Sequence, residues 1–208
     1  MDTRTKIIAQ ARELFNERGV ASITMRQIAQ SLGISLGNLT YHFQKREDLI
    51  LALYEDLVEQ MNRMMESFAA HAGLLDLFFS VSRQSMQLFY NHRFFLIDLV
   101  HILRTYPDIR KRYQQLQVIR EAQFTALFIQ LQQKGWMREA ELPSEYEHLY
   151  QRMQILGDYW ISAAATLYPE MNKELVDHYH RILIEMIYPY FTQHGRQQFS
   201  LMIRNPAD

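Results

Sequence analysis

Apolar residues recur along this chain at spacings of three and four, the period of a helix buried on one side. Ile7, Ile8, Ala11, Leu14 and Phe15 form one such face, with Gln10, Arg12, Glu13, Asn16 and Glu17 opposite, and Gly19 supplies a stop. Thr24 then precedes Met25, Ile28, Ala29 and Leu32, with Gln27 three residues after it, so a capping box predicts a short second helix ending at Gly33. Ser35 can cap a third helix whose inward residues are Leu39 and Phe43, one turn apart, which leaves the other residues facing outward. From Arg46 a longer stretch runs to about His71, carrying Leu49, Leu53, Leu57, Met61, Met64, Met65 and Phe68 on one face. Glu47 and Asp48 suit its positive first turn. Past Gly73, helices are expected at about 74–91, 93–104, 107–134, 144–167 and 171–191, punctuated by Asn91, Pro107, Gly135, Pro143, Pro169 and Pro189. The tail after Gly195 is expected to be loosely ordered. No run of alternating β-branched residues interrupts this pattern. It predicts an all-α protein of about nine helices: a three-helix N-terminal domain, residues 1–46, and a larger helical domain, residues 47–208.

Composition narrows the class. A chain of 208 residues, 48% hydrophobic, can bury one good core and a small satellite domain. With no cysteine it has no disulfide, thiol nucleophile or Cys-based zinc site, which suits a reducing cytosol. Residues 1–6 are polar and charged, unlike a secretory signal. The apolar stretches 74–81 and 94–103 are broken by Asp76, Asp98 and His101, well short of a membrane span. A cytoplasmic protein without membrane contact is expected. Net charge is −1, but it is unevenly spread: residues 1–50 hold seven Lys/Arg against five Asp/Glu, and the remainder holds fifteen against eighteen. The basic excess sits at the N-terminal end, a weak pointer to nucleic acid.

The segment from Thr24 to Leu49 reads as a capped short helix, a Gly-containing turn, a second short helix and a new helix start, the order of a helix-turn-helix. A short helix held by its apolar inner face, with polar, small and aromatic residues outward, fits the major groove, so base reading falls to the third helix. Through Ser35, Gly37, Leu39, His42, Phe43, Glu47 and Leu49, residues 3 to about 55 resemble the tetracycline-repressor family. Where that family often places an aromatic after the Leu, this chain has Thr40, with Tyr41 next. The resemblance implies that Thr24, Tyr41, His42 and Lys45 bind phosphates. It further implies that Gly37 allows close backbone approach and that Ser35, Leu36, Asn38 and Thr40 face base edges. The chemistry of those residues agrees: Thr24 opens a helix, Lys45 brings charge, Asn38 can pair with adenine, and Leu36 or Thr40 can touch a thymine methyl. Arg26 either reaches DNA or solvates the second helix.

The helices near 144–167 and 171–191 carry apolar residues on two flanks. With Tyr150, Ile161 and Ala164 on the second flank of one and Leu175, Ile182 and Ile187 on the second flank of the other, the first flanks are marked by Leu149, Met153, Leu156, Trp160, Ala163 and Leu167 and by Val176, Tyr179, Leu183, Met186 and Tyr190. A helix apolar on two sides needs two neighbours, so these residues are expected at a four-helix interface between two copies; the alternative is a single large core. The family resemblance implies the homodimer. Between the ends, Met61, Met64, Met65, Phe68, Phe89, Phe94, Tyr113, Phe124 and Phe128 could be core or could line a pocket for a small apolar or amphipathic effector. Asp98, His101 and Arg104 could orient its polar end or form a buried salt bridge. The resemblance favours the pocket and implies a two-state mechanism. In it the dimer holds its recognition helices at the spacing of a palindromic operator, and the effector favours another spacing through the fourth helix.

Catalytic signals are thin. One Glu-x-x-His pair, Glu145 and His148, lacks the second copy and the further carboxylates of a di-iron site. His178 and His180, two apart on a helix, diverge. Neither a metal, a cofactor nor an enzyme activity is expected.

Overall fold

A computed structural model describes residues 2–69 and 73–204, apart from the side chains at positions 67–69, 76, 77 and 201–204. Among the described residues it contains eleven α-helices and no strand. They are α1 (Thr3–Arg18), α2 (Met25–Ser31), α3 (Leu36–His42), α4 (Arg46–Ala69), α5 (Leu74–Asn91) and α6 (Arg93–Ile97). There follow α7 (Leu99–Thr105), α8 (Pro107–Gln133), α9 (Glu145–Leu167), α10 (Glu174–Ile187) and α11 (Gln193–Arg204). None of these helices is long and apolar enough to cross a membrane.

Two helices exceed the nine that periodicity predicts. Residues 93–104 break at Asp98, whose ψ of 14° leaves the helical region. Phe94, Phe95 and Leu96 before the break and Leu99 and Ile102 after it are all buried, and one straight helix cannot turn that many side chains to one face. The second addition is α11. The tail after Gly195 is helical, correcting the expectation of a loose end. Thr192 accepts a hydrogen bond from the Gly195 amide at 3.0 Å and donates from its hydroxyl to the Gly135 carbonyl at 2.6 Å. Phe199 is buried among Phe79, Tyr188 and Phe191. At Gly195 itself an added Cβ would lie 2.0 Å from the Trp136 carbonyl oxygen, so this glycine marks close backbone approach and not a helix stop.

The chain divides into two compact units. The first comprises residues 1–63 and 88–112, and its core joins Ile7, Leu14 and Phe15 of α1 to Leu49, Leu53 and Tyr54 of α4 and to Phe94 and Phe95 of α6. Phe15 meets Phe94 at 5.5 Å between ring centroids, and Tyr54 stacks on Phe95 at 5.2 Å. Polar side chains fix the register of the same elements. Asn16 donates to the Asn91 carbonyl at 2.8 Å and accepts from the Phe94 amide at 3.0 Å, holding α1 to the turn between α5 and α6. Arg12 and His92 both reach the Asp56 carboxylate, and hydrogen bonding with His92 holds that carboxyl below its ordinary pKa.

Residues 64–87 and 113–208 form the second unit. Here α8 and α9 face each other along an aromatic seam, Phe124 on Tyr150 at 5.4 Å and Phe128 on Tyr146 at 5.4 Å. Trp160 of α9 meets Tyr179 of α10 at 5.2 Å. The buried Asp158 accepts from the Tyr113 hydroxyl at 2.5 Å, and burial raises its carboxyl above the usual range.

Candidate nucleic-acid interface

Local chemistry builds the reading head. Thr24 and Gln27 make the reciprocal capping box, Gln27 amide to Thr24 hydroxyl at 3.3 Å and Thr24 amide to Gln27 carboxamide at 2.8 Å. Gly33, at φ +66°, turns the chain out of α2 in the left-handed region that glycine enters without strain. Ser35 then caps α3 by accepting from the Asn38 amide at 3.1 Å. Leu39 is 0% exposed, and Phe43, just past the helix, is also buried. Together they seat the seven-residue α3 against the unit. Its helical period then forces the remaining residues outward.

Ser35, Leu36, Gly37, Asn38, Tyr41 and Lys45 are exposed, as are Thr24 and Arg26 on α2, while Thr40 and His42 are half-buried. The ten residues expected at DNA thus fall on α2, α3 and the link into α4, and none is buried. Tyr41 is 83% exposed, with its ring edge-on to His42 at 5.2 Å. So large an aromatic left in water has no role in this unit's core. Thr40 turns its hydroxyl back to the carbonyls of Leu36 and Gly37, at 3.0 and 3.1 Å, which leaves its methyl as the outward group. A Cβ added to Gly37 would meet only the Ser35 hydroxyl, at 3.8 Å, so nothing inside the chain requires glycine there.

Arg46 was absent from the sequence-derived set. Its guanidinium donates to the carbonyls of Ile23, at 2.6 Å, and Val20, and lies over the Phe15 ring, tying the start of α4 to the α1–α2 loop. The available signal was electrostatic: a cation in a positive first helical turn opposes the helix dipole and so needs a partner elsewhere. Arg4, lying over the Phe43 ring at 5.2 Å, supports α3 from its inner side.

The residues expected around an effector divide differently. Met64, Met65, Tyr113 and Phe124 are half-buried in the second unit, and Phe128 is buried. In the first unit Met61 is buried, Phe89 is half-buried, and Phe94 is spent on the core contact with Phe15. Asp98 is half-buried, but His101 and Arg104 are exposed, and none of the three makes an ion pair among the described residues. Solvent already satisfies their charges, which removes the buried salt bridge from consideration. The side chain of Phe68 lies outside those described.

The residues expected at a dimer interface divide by burial. Leu149, Met153, Trp160, Val176, Tyr179 and Leu183 are buried inside the single chain, and Leu156, Met186 and Tyr190 are half-buried. A side chain already sealed from water has no area left to bury against a second copy. Among the apolar residues left outward on α9 are Ile155, Tyr159, Ala163 and Leu167. Near the metal motif weighed from sequence, Glu145 is bidentate with Arg138 at 2.6 and 2.9 Å, which holds its carboxyl down to about 2. Among the described residues no cluster of His, Asp and Glu is arranged to hold a metal.

Comparison with known proteins places residues 7–199. The family described as bacterial regulatory proteins, tetR family, matches residues 7–53, and the family described as bacterial transcriptional repressor matches residues 53–199. The HTH-type transcriptional repressor AcnR of Corynebacterium efficiens is 28% identical over 166 residues, 80% of this chain and 84% of that protein. The HTH-type transcriptional regulator UidR of Escherichia coli K12 is 39% identical over 66 residues, 32% of each chain. Among solved structures, a TetR-family transcriptional regulator from Marinobacter aquaeolei shares the fold with a TM-score of 0.86, 23% identity and 98% coverage of both chains.

Proposed function

From the premise that this chain belongs to the TetR family of bacterial regulators, we propose that it is a cytoplasmic repressor that grips a palindromic operator as a homodimer and lets go when a small effector binds. The observation that carries this reading is α3: Leu39 is fully buried while Asn38 and Tyr41 stand in solvent, a reading edge with no intramolecular use. Asn38 pairs with a base edge, Leu36 and the Thr40 methyl meet thymine methyls, and Thr24, Tyr41, His42 and Lys45 take phosphates, with Arg26 beside them.

Homodimerisation rests on a different surface. On α9 Ile155 is 60% exposed and Tyr159 44%, one turn apart, with Ala163 a further turn on. Such an apolar stripe on a surface helix suits a self-complementary interface. A twofold axis then sets two α3 helices about one helical turn of DNA apart. The half-buried Met64, Met65, Tyr113 and Phe124 line the space for an apolar or amphipathic effector, which need only prefer one of two head spacings.

Selection of bound sequences from random duplex DNA tests the reading directly. A palindrome should emerge, and its affinity should fall steeply with salt, as phosphate contacts require. Asn38→Ala and Tyr41→Ala should each abolish selection of that sequence while leaving the melting temperature unchanged. No enriched sequence, or full binding by both variants, overturns the assignment.

A further inference from the structure

A groove of about 280 Å³ opens between α8 and α9 in the second unit, at the low end of the volumes that hold small molecules. Phe128 and Tyr146 form its aromatic wall, with Ile129 and Gln132 beside them, and Glu121 and Glu147 bring carboxylates. Among the described residues no basic side chain lines it.

The wall is fixed before any ligand arrives. The Tyr146 hydroxyl donates to the Arg138 carbonyl at 2.5 Å, Gln132 donates to the same oxygen at 3.1 Å, and the Tyr146 ring rests on Phe128. Arg138, whose carbonyl holds Tyr146, has its guanidinium engaged by Glu145 in a bidentate pair and by the Tyr190 ring at 5.0 Å, and Arg120, next to Glu121 in the chain, donates to Gln123 at 2.8 Å. By contrast, neither Glu121 nor Glu147 has a cationic partner among the described residues.

This combination selects a ligand class. An anion would meet two carboxylates with no cation in the lining to offset them, only the neutral Thr125 and Gln132. A neutral apolar molecule would strip water from those carboxylates and return nothing. A compact cation with alkyl substituents meets both requirements, its charge held by the carboxylates and the Tyr146 ring and its methyl groups by Ile129 and the aromatic edge. We propose that the α8–α9 groove is a binding site for a small organic cation of the substituted-ammonium type, seated on the half-buried Tyr146 and the exposed Ile129 and neutralised by Glu121 and Glu147. Only its regulatory consequence, an effect on DNA release, rests on the repressor reading; binding itself does not.

Calorimetric titration of the full chain without DNA tests it. The probes are tetramethylammonium, its neutral isostere tert-butanol, and acetate, at constant ionic strength. Saturable binding of tetramethylammonium alone is expected. Glu121→Gln combined with Glu147→Gln should weaken it at least tenfold with the melting temperature unchanged, because both carboxylates reach solvent. Tyr146→Phe, which keeps the ring face, should retain most of the affinity. Equal binding of tert-butanol, unaltered affinity in the double Gln variant, or no saturable binding of tetramethylammonium would each overturn the site. Operator affinity, measured separately with and without the cation, distinguishes failure of the regulatory reading from failure of the site.

Discussion

Gly37 is the residue where fold and function make opposite demands. It lies inside a helix, where glycine costs about 1 kcal/mol relative to alanine, yet no neighbour excludes a Cβ. Gly37→Ala should therefore raise thermal stability slightly and, on the proposed reading, weaken operator binding at least tenfold, since the added methyl would stand between α3 and DNA. Equal operator affinity in the two proteins, by fluorescence anisotropy, would remove Gly37 from the interface. His180 offers a second test at this scale. Its Nε2 lies 2.8 Å from the Ser82 hydroxyl, and burial pulls the imidazole down to about 4. The unfolded chain takes up that proton near pH 6.5, the folded chain only near 4, so stability is lost as pH falls through this interval. The loss should amount to roughly 1–2 kcal/mol once solvent screening of the partly exposed ring is allowed for. Urea melts of His180→Asn should be flatter between pH 6.5 and 4 than those of the parent.

At the level of elements, the first three helices are governed by local rules. Capping by Thr24 and Ser35 and the positive φ at Gly33 involve residues within four of one another, so the sequence suffices to place α2, the turn and α3. Ser35→Ala should cost about 1 kcal/mol and loosen the first turn of α3. The last helix is the opposite case. Its capping Thr192 reaches Gly135, and its Gly195 touches Trp136, partners some 60 positions away that no local pattern announces. Gly195→Ala would drive a methyl into the Trp136 carbonyl, so α11 should detach or shift at a cost of about 1–3 kcal/mol. Hydrogen exchange should show protection lost across residues 193–200 and kept in α1–α3.

For the whole molecule, the consequential surface is the outer stripe of α9. Ile155→Asp with Tyr159→Asp should convert the proposed dimer to a monomer in sedimentation at micromolar concentration and strongly weaken binding to the proposed palindromic operator. The fold of each chain should persist, because both side chains are exposed. A dimer that survives the change would place the interface elsewhere. The charge pattern fits this organisation, with the basic excess confined to residues 1–50.

Periodicity, caps and turn residues fixed the all-α class, the helix-turn-helix and the outward set on α3, because all of these follow from interactions between neighbours in sequence. Periodicity also found α9 and α10 and their two apolar flanks. It could not tell which flank faces the chain's own core, since a 3.6-residue repeat records that a side chain is apolar and not what covers it. Tertiary packing decided that: Leu149, Met153 and Trp160 went inward, while Ile155 and Tyr159 stayed out. The same long-range packing ordered α11 and broke the helix at Asp98, because each outcome depends on contacts that exist only once distant segments have met.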